Sequence, residues 1–132
     1  MQRLLYLLVV GLVSINAYCN PQISYLLHCG GCHLPNGESV PPEVPSLRDE
    51  LGKLVGIPGG RDYIVRVPGA SQAPISDQEL ADVLNFVLTE FNQQTLADDF
   101  KPLTGSEVAA SRRNILADPF KYRDELWQKY TP

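Results

Sequence analysis

The apolar positions of this chain recur mostly every three or four residues, which is the spacing of helices that bury one face. An early helix begins at Asn20 and Pro21, and we expect its stripe of Ile23, Leu26 and Leu27 to pack against a later core helix. That later helix follows a capping box from Ser76 to Glu79, and its apolar stripe consists of Leu80, Val83, Leu84, Val87, Leu88 and Phe91.

Shorter elements are predicted between these two helices. Residues 39–45 contain three prolines and therefore predict an extended loop. Residues 46–55 predict one or two helical turns with Leu47, Leu51, Leu54 and Val55 on the buried side. Residues 61–67 fit either a short helix or a strand, and the pattern alone leaves both open.

The C-terminal tail also carries helix signals. A second capping box begins at Thr104, and Asp118-Pro119 predicts the start of a further helix. Trp127 lies in that last segment, and we expect it to pack on the core of its own chain. We therefore expect residues 92–132 to form a helical extension.

The N-terminus is typical of an export signal. Residues 1–3 carry a positive charge, and the apolar run over residues 4–13 is too short to span a bilayer alone. We expect residues 1–19 to be a signal peptide that is cut after residue 17 or 19. The second cut removes Cys19 and leaves no odd thiol; acylation of Cys19 and an uncleaved anchor are lesser alternatives.

The net charge bears on the class of partner. The chain has 11 Lys and Arg residues against 15 Asp and Glu residues, which gives a formal charge of −4. An acidic protein is not a natural partner for nucleic acid or for an anionic membrane surface. We expect no nucleic-acid partner and no stable membrane insertion after signal cleavage; an acidic face suits a basic partner protein instead.

The most informative motif is Cys29-Gly30-Gly31-Cys32-His33. Two thiols separated by two residues and followed by His are the attachment pattern of c-type haem, in which Cys29 and Cys32 form thioethers and His33 binds the iron. A thioredoxin-like pair would require a βαβ context that the chain lacks. A zinc site fails because too few further Cys or His ligands follow, and a disulfide would leave His33 unexplained.

Two stretches, Tyr25 to Gly37 and Val67 to Val87, are similar to the haem-binding opening and the final core helix of small bacterial monohaem class I cytochromes c. The resemblance implies a mainly α fold in which the first and last core helices pack around one covalent haem, here within residues 20–91. It also favours a helix over residues 61–67, a periplasmic location and single-electron transfer with a periplasmic redox partner. In that family a proline carbonyl orients the proximal His, and Pro35 is the matching position.

Three further residues are candidates for binding the haem carboxylates. Arg61, Arg66 and Tyr63 carry donors suited to a carboxylate, and Arg offers a charge-assisted bidentate contact. An ordinary solvated surface is the competing interpretation for each of them.

The chain departs from the family at the second axial ligand. Its only methionine is Met1, in the export signal, and the expected ligand position falls near Val67-Pro68. Three solutions stay open: a five-coordinate iron facing Val67, Ala70 and Ile75, a ligand from the partner chain, or a weak ligand among Lys53, Tyr63, Ser71 and Gln72. His28 is adjacent to the attachment site and is a poor candidate for the opposite face.

These observations favour a periplasmic electron carrier. The alternatives are a haem protein that binds or senses carbon monoxide or nitric oxide, a haem subunit of a periplasmic oxidoreductase complex, and a purely structural haem. Peroxidase-like catalysis ranks lower because no distal His is present to move a proton.

Overall fold

The computed structural model describes residues 20–130. The predictions for the signal peptide and for Cys19 lie outside the described residues. Within residues 20–130 the fold is helical, with an isolated bridge between Val40 and Val44 and no β-strand. The helices are α1 (Pro21–His28), α2 (Gly30–His33), α3 (Glu50–Leu54), α4 (Gly60–Arg66), α5 (Pro68–Ser71), α6 (Asp77–Phe91), α7 (Gly105–Ser111) and α8 (Pro119–Trp127).

The longest helix, α6, forms the centre of the fold and packs against α1 and α7. Ser76 accepts a hydrogen bond from the amide of Glu79 at 3.1 Å, as the capping box predicts. Leu80, Val83 and Val87 are buried, and Leu84 is half-buried, so the predicted apolar stripe of this helix is confirmed.

The contact between α1 and α6 differs from the sequence prediction. Tyr25 is fully buried, its ring packs on Phe86 and Phe91, and Ser24 donates a hydrogen bond to the Glu79 carboxylate at 2.7 Å. The predicted stripe of Ile23, Leu26 and Leu27 is wrong, because these side chains are 53%, 45% and 72% exposed. A buried aromatic ring whose hydroxyl has a partner occupies the contact instead.

Asn92, at the end of α6, ties this helix to the α3 region. Its side-chain oxygen accepts from the amide of Gly52 at 3.0 Å, and its nitrogen donates to the carbonyls of Leu47 and Val87. Asn92 is fully buried, so these bonds replace the water that its amide would otherwise bind. The buried side of the α3 region follows the prediction: Leu51, Leu54 and Val55 are buried, and Leu47 is half-buried.

The C-terminal tail folds onto the same core. Thr104 caps α7 by accepting from the amide of Glu107, and Asp118 caps α8 by accepting from the amide of Lys121. Val108 and Leu126 are buried, so both helices contribute apolar side chains to the core. Trp127 is half-buried against this core, as expected.

A single guanidinium fastens α7 to the turn that precedes α6. Arg112 donates to the carbonyls of Ser71, Ala73 and Ile75 and forms an ion pair with Asp77 at 2.9 Å. The turn before the last core helix is thus held from outside by the extension. None of the described helices has the length and apolar character needed to cross a bilayer.

Candidate haem site

A cavity of about 320 Å³ lies between α2, α4, α5, α6 and α8. Cys29, Cys32 and His33 all line it, so the fold brings the three residues of the attachment motif to one site. Most of the remaining wall is aliphatic and comes from residues such as Ile64, Val67, Leu80 and Val83. An apolar cavity lined by two thiols and by the imidazoles of His28 and His33 fits a covalently attached porphyrin whose iron binds a protein nitrogen.

His33 lies at the end of α2 with its ring held in place. Its Nδ1 is 2.7 Å from the Ser39 hydroxyl oxygen, and the Ser39 amide donates to the His33 carbonyl at 3.1 Å. Burial lowers the pKa of His33, and a hydrogen bond to the backbone of Pro45 opposes that shift. With Nδ1 facing Ser39, Nε2 is the ring nitrogen that a metal would use.

Pro35 is the residue that the family resemblance assigns to orienting His33. It is exposed, and the hydrogen-bonding contacts of the imidazole come from Ser39 and Pro45. The sequence carried no signal for Ser39, because its backbone turns back with a φ of 64° that the residue type does not predict.

Tyr25 connects α1 to the segment that follows the attachment motif. Its hydroxyl donates to the carbonyl of Leu34 at 2.6 Å, and burial raises the pKa of the phenol to about 12. The hydroxyl therefore stays protonated at neutral pH and keeps its role as a donor. This bond fixes the chain immediately after His33 against the first core helix.

The state of the thiols argues against a redox-active dithiol. Burial raises the pKa of Cys29 to about 11, with a further contribution from Cys32. Thioredoxin-like pairs instead lower the pKa of the attacking thiol. Among residues 20–130, no group of three or more His, Cys, Asp or Glu side chains lies close enough together to hold a metal ion by itself.

Of the three candidates for binding the haem carboxylates, one lines the cavity and two lie outside it. Arg61 makes a bidentate ion pair with Glu107, both bonds being 2.7 Å, and Arg66 pairs with Asp62 at 2.7 Å. Neither arginine lines the cavity. Tyr63 does line it and is only 5% exposed.

The extension supplies residues that the sequence did not reveal. Pro119, Phe120 and Arg123 of α8 line the cavity, although they lie far along the chain from the attachment motif. The start of α8 was visible in Asp118-Pro119, but no local pattern shows which surface that helix covers. Of the residues expected to face an open iron site, Val67 and Ala70 line the cavity and Ile75 does not. Of the candidate weak ligands, Tyr63 lines it, whereas Lys53, Ser71 and Gln72 do not.

Comparisons with known proteins agree with this site. No protein-family model matches the chain. The chain is 30% identical over 106 residues to cytochrome c-552 of Thermus thermophilus, in an alignment that covers 67% of this chain and 81% of that protein. A second cytochrome c-552 of the same species is also 30% identical over 106 residues, and the alignment covers 72% of its length.

A helical fold built around an apolar cavity, with Cys-x-x-Cys-His at its edge, defines a haem protein of the c type. The similarity to cytochrome c-552 over about two thirds or more of each chain shows that the protein belongs to the class I c-type cytochromes. The expected cytochrome c fold and the expected cofactor, covalent haem c with its iron, are confirmed. Membership of this family also implies electron transfer with a partner protein.

Proposed function

We propose that this protein is a periplasmic monohaem cytochrome that passes single electrons between partner proteins. Cys29 and Cys32 hold the haem, and His33 is the proximal iron ligand. The haem supplies the reversible one-electron change of its iron, and the protein supplies orientation and an apolar environment. The observation that carries the proposal is the convergence of both thiols and the Ser39-bound imidazole of His33 on one apolar cavity.

The proposed organisation of the chain follows from this site. Residues 1–19 are a signal peptide, residues 20–91 form the haem domain, and residues 92–132 form a helical extension. Export supports the site chemically, because a mature chain cut after residue 19 carries only the two thiols that the haem uses. The acidic net charge of −4 supports a redox partner with a basic docking face.

Covalent haem attachment tests the proposal directly. The full chain is produced in a bacterial host that matures c-type cytochromes, and covalent haem is measured after acid–acetone extraction. We expect one haem per chain in the wild type and none in the Cys29→Ala, Cys32→Ala double variant. The His33→Ala variant should lose the proximal ligand, seen as an altered absorption spectrum.

A matched control uses the neighbouring histidine. His28 is exposed and also lines the cavity, so His28→Ala changes the same residue type close by in the chain. This variant should keep the wild-type spectrum and a reversible one-electron redox titration. Haem that is fully extracted from the wild type, or a spectrum that changes equally in both histidine variants, would contradict the assignment.

A second function rests on the composition of the cavity wall. Residues 20–130 contain no methionine, and besides the attachment motif the side chains of the wall with metal-ligating atoms are His28, Glu43, Ser46 and Tyr63. The proposal is that the iron is five-coordinate when reduced and binds carbon monoxide or nitric oxide beside Val67 and Ala70. A low-spin ferrous spectrum that carbon monoxide leaves unchanged would rule this function out and leave electron transfer intact.

A further inference from the structure

The helix α8 reaches the haem cavity from the far end of the chain. Pro119 and Phe120 in its first turn and Arg123 one turn later line the cavity wall. The helix is held there by packing, because Leu126 is 1% exposed and the ring of Tyr122 stacks on Tyr63 at 6.0 Å with an interplanar angle of 4°. The extension is therefore a part of the wall of the site.

Arg123 is the one Lys or Arg residue among residues 20–130 that lines the cavity. Its side chain is only 12% exposed and forms an ion pair with the Glu50 carboxylate, which is itself 54% exposed. Arg123 also hydrogen-bonds to Tyr63, which partly offsets the rise that burial causes in the pKa of that phenol. The guanidinium thus lies between a surface carboxylate and the cavity.

A guanidinium at this position can bind an anion inside the cavity. Arg carries five N–H donors in a planar fork, and the side-chain partners of Arg123 are Glu50 and Tyr63. A largely buried guanidinium is costly unless its donors are paired. An anionic group inside an otherwise aliphatic cavity needs hydrogen-bond donors, and the guanidinium of Arg123 can supply them.

We propose that Arg123 is an anion-binding residue of the haem cavity, contributed by the C-terminal extension. The inference rests on the proposed function, because it requires haem in this cavity. The anion has two possible sources, a carboxylate of the haem itself or a small anion bound at the iron. Both would be recognised by the same charge-assisted contact with the guanidinium.

The experiment uses the full-length holoprotein and three variants. Arg123→Gln removes the charge and the fork, and Arg123→Lys keeps the charge without the fork. Lys121→Gln removes an exposed charge from the same helix and serves as the control. For each protein we measure covalent haem content, the midpoint potential by spectroelectrochemistry and the dissociation constant of azide for the ferric form.

A haem carboxylate partner predicts a lower midpoint potential in Arg123→Gln, because a cation that offsets the carboxylate has been lost. Arg123→Lys should then lie between the wild type and Arg123→Gln, while Lys121→Gln and the azide affinities stay unchanged. An iron-bound anion predicts instead that azide binds at least tenfold more weakly to Arg123→Gln, with the potential of the azide-free protein unchanged.

Three results would overturn the inference. Arg123→Gln could match the wild type in both measurements, Lys121→Gln could shift the potential as much as Arg123→Gln does, or Arg123→Lys could restore the wild-type values completely. The last two indicate a long-range charge effect. Covalent haem content separates this failure from that of the proposed function, since a wild-type protein without covalent haem refutes the latter. Should Arg123→Gln fail to fold, the Arg123→Lys comparison still decides the inference.

Discussion

The hydroxyl oxygen of Ser39 lies 2.7 Å from Nδ1 of His33, and the two residues are also joined by a backbone hydrogen bond of 3.1 Å. Ser39 is 7% exposed and has a positive φ of 64°. A short loop therefore returns to hold the imidazole ring of His33 in place. Such a partner sets the tautomer of a metal-binding histidine, since the nitrogen that faces it cannot also bind the metal.

Removal of the Ser39 hydroxyl should loosen the imidazole without abolishing haem attachment. We expect Ser39→Ala to retain one covalent haem, to show a lower iron–histidine stretching frequency in the ferrous resonance Raman spectrum, and to unfold with a free energy lower by about 1 kcal/mol. Loss of the acceptor makes the imidazole a weaker donor to the iron, which should raise the midpoint potential.

The control for this variant is Ser106→Ala, because Ser106 is an exposed serine of α7. It should leave the Raman frequency and the potential at their wild-type values. A Ser39→Ala protein with an unchanged Raman frequency would show that Pro45, and not Ser39, orients the ring.

The ion pair between Arg61 and Glu107 should make stability depend on pH in the acid range. The hydrogen bond from Arg61 lowers the pKa of Glu107 below its usual value of 4.5. A carboxyl group whose pKa is depressed in the folded state contributes its full stability above the unfolded pKa, and that contribution disappears as the pH falls through the folded value. The pair therefore stabilises the protein at neutral pH, and this contribution is lost as the pH falls from the usual pKa of 4.5 through the lower pKa of folded Glu107.

Glu107→Gln tests this dependence. At pH 7 we expect its free energy of unfolding to be lower than that of the wild type by at most about 1 kcal/mol, since both side chains are partly exposed. The difference should vanish once the pH is below the depressed pKa of folded Glu107. Thermal unfolding across the acid range up to neutral pH measures it, with Glu90→Gln at an exposed position as the control. A difference that persists at the acid end would assign the effect to lost packing.

The attachment motif, the core helix α6 and both helix starts in the tail could be predicted from the sequence, because each has a local cause. Helix caps and the spacing between Cys29 and His33 act within a few residues. The position of Arg123 could not be predicted, since it depends on how α8 docks against α4, a helix far away in the chain. For the same reason the sequence does not show that Arg61 pairs with Glu107, a residue of α7 far along the chain.

The first helix shows a second limit of sequence patterns. Three large aliphatic side chains on an eight-residue helix predict a buried stripe, yet Leu27 is 72% exposed and Tyr25 is buried. A period of three or four residues does not distinguish a stripe from its neighbour when both contain apolar side chains. The hydrogen bond from Tyr25 to Leu34 and the two ring contacts decide which face turns inward.

Two substitutions in α1 should lower the free energy of unfolding by very different amounts. Leu27→Ser changes an exposed position and should alter the free energy of unfolding by no more than about 0.5 kcal/mol. Tyr25→Ala removes a fully buried ring and should cost about 3–5 kcal/mol. Urea unfolding of the holoproteins provides the comparison. Equal costs for the two variants would mean that the helix buries the leucine face.

Alanine substitutions at two glycines near the site should also differ sharply in their effect on stability. A Cβ at Gly60, the first residue of α4, would overlap the carbonyl group of Leu54, whereas a Cβ at Gly69 would have no neighbour within 4 Å. The obstacle at Gly60 is backbone, which cannot move as a side chain can. We expect Gly60→Ala to lose about 1–3 kcal/mol of stability, in the range of overpacked interiors.

Gly69→Ala is the matched control, because it adds the same methyl group at a glycine that has no protein neighbour within 4 Å of the added Cβ. It should be neutral or slightly stabilising, since alanine restricts the unfolded chain. Displacement of α4 would also move Tyr63 and Ile64, so the Gly60→Ala spectrum should report a disturbed haem site while that of Gly69→Ala does not. Equal stability and equal spectra for both variants would show that α4 begins without close contact to the carbonyl of Leu54.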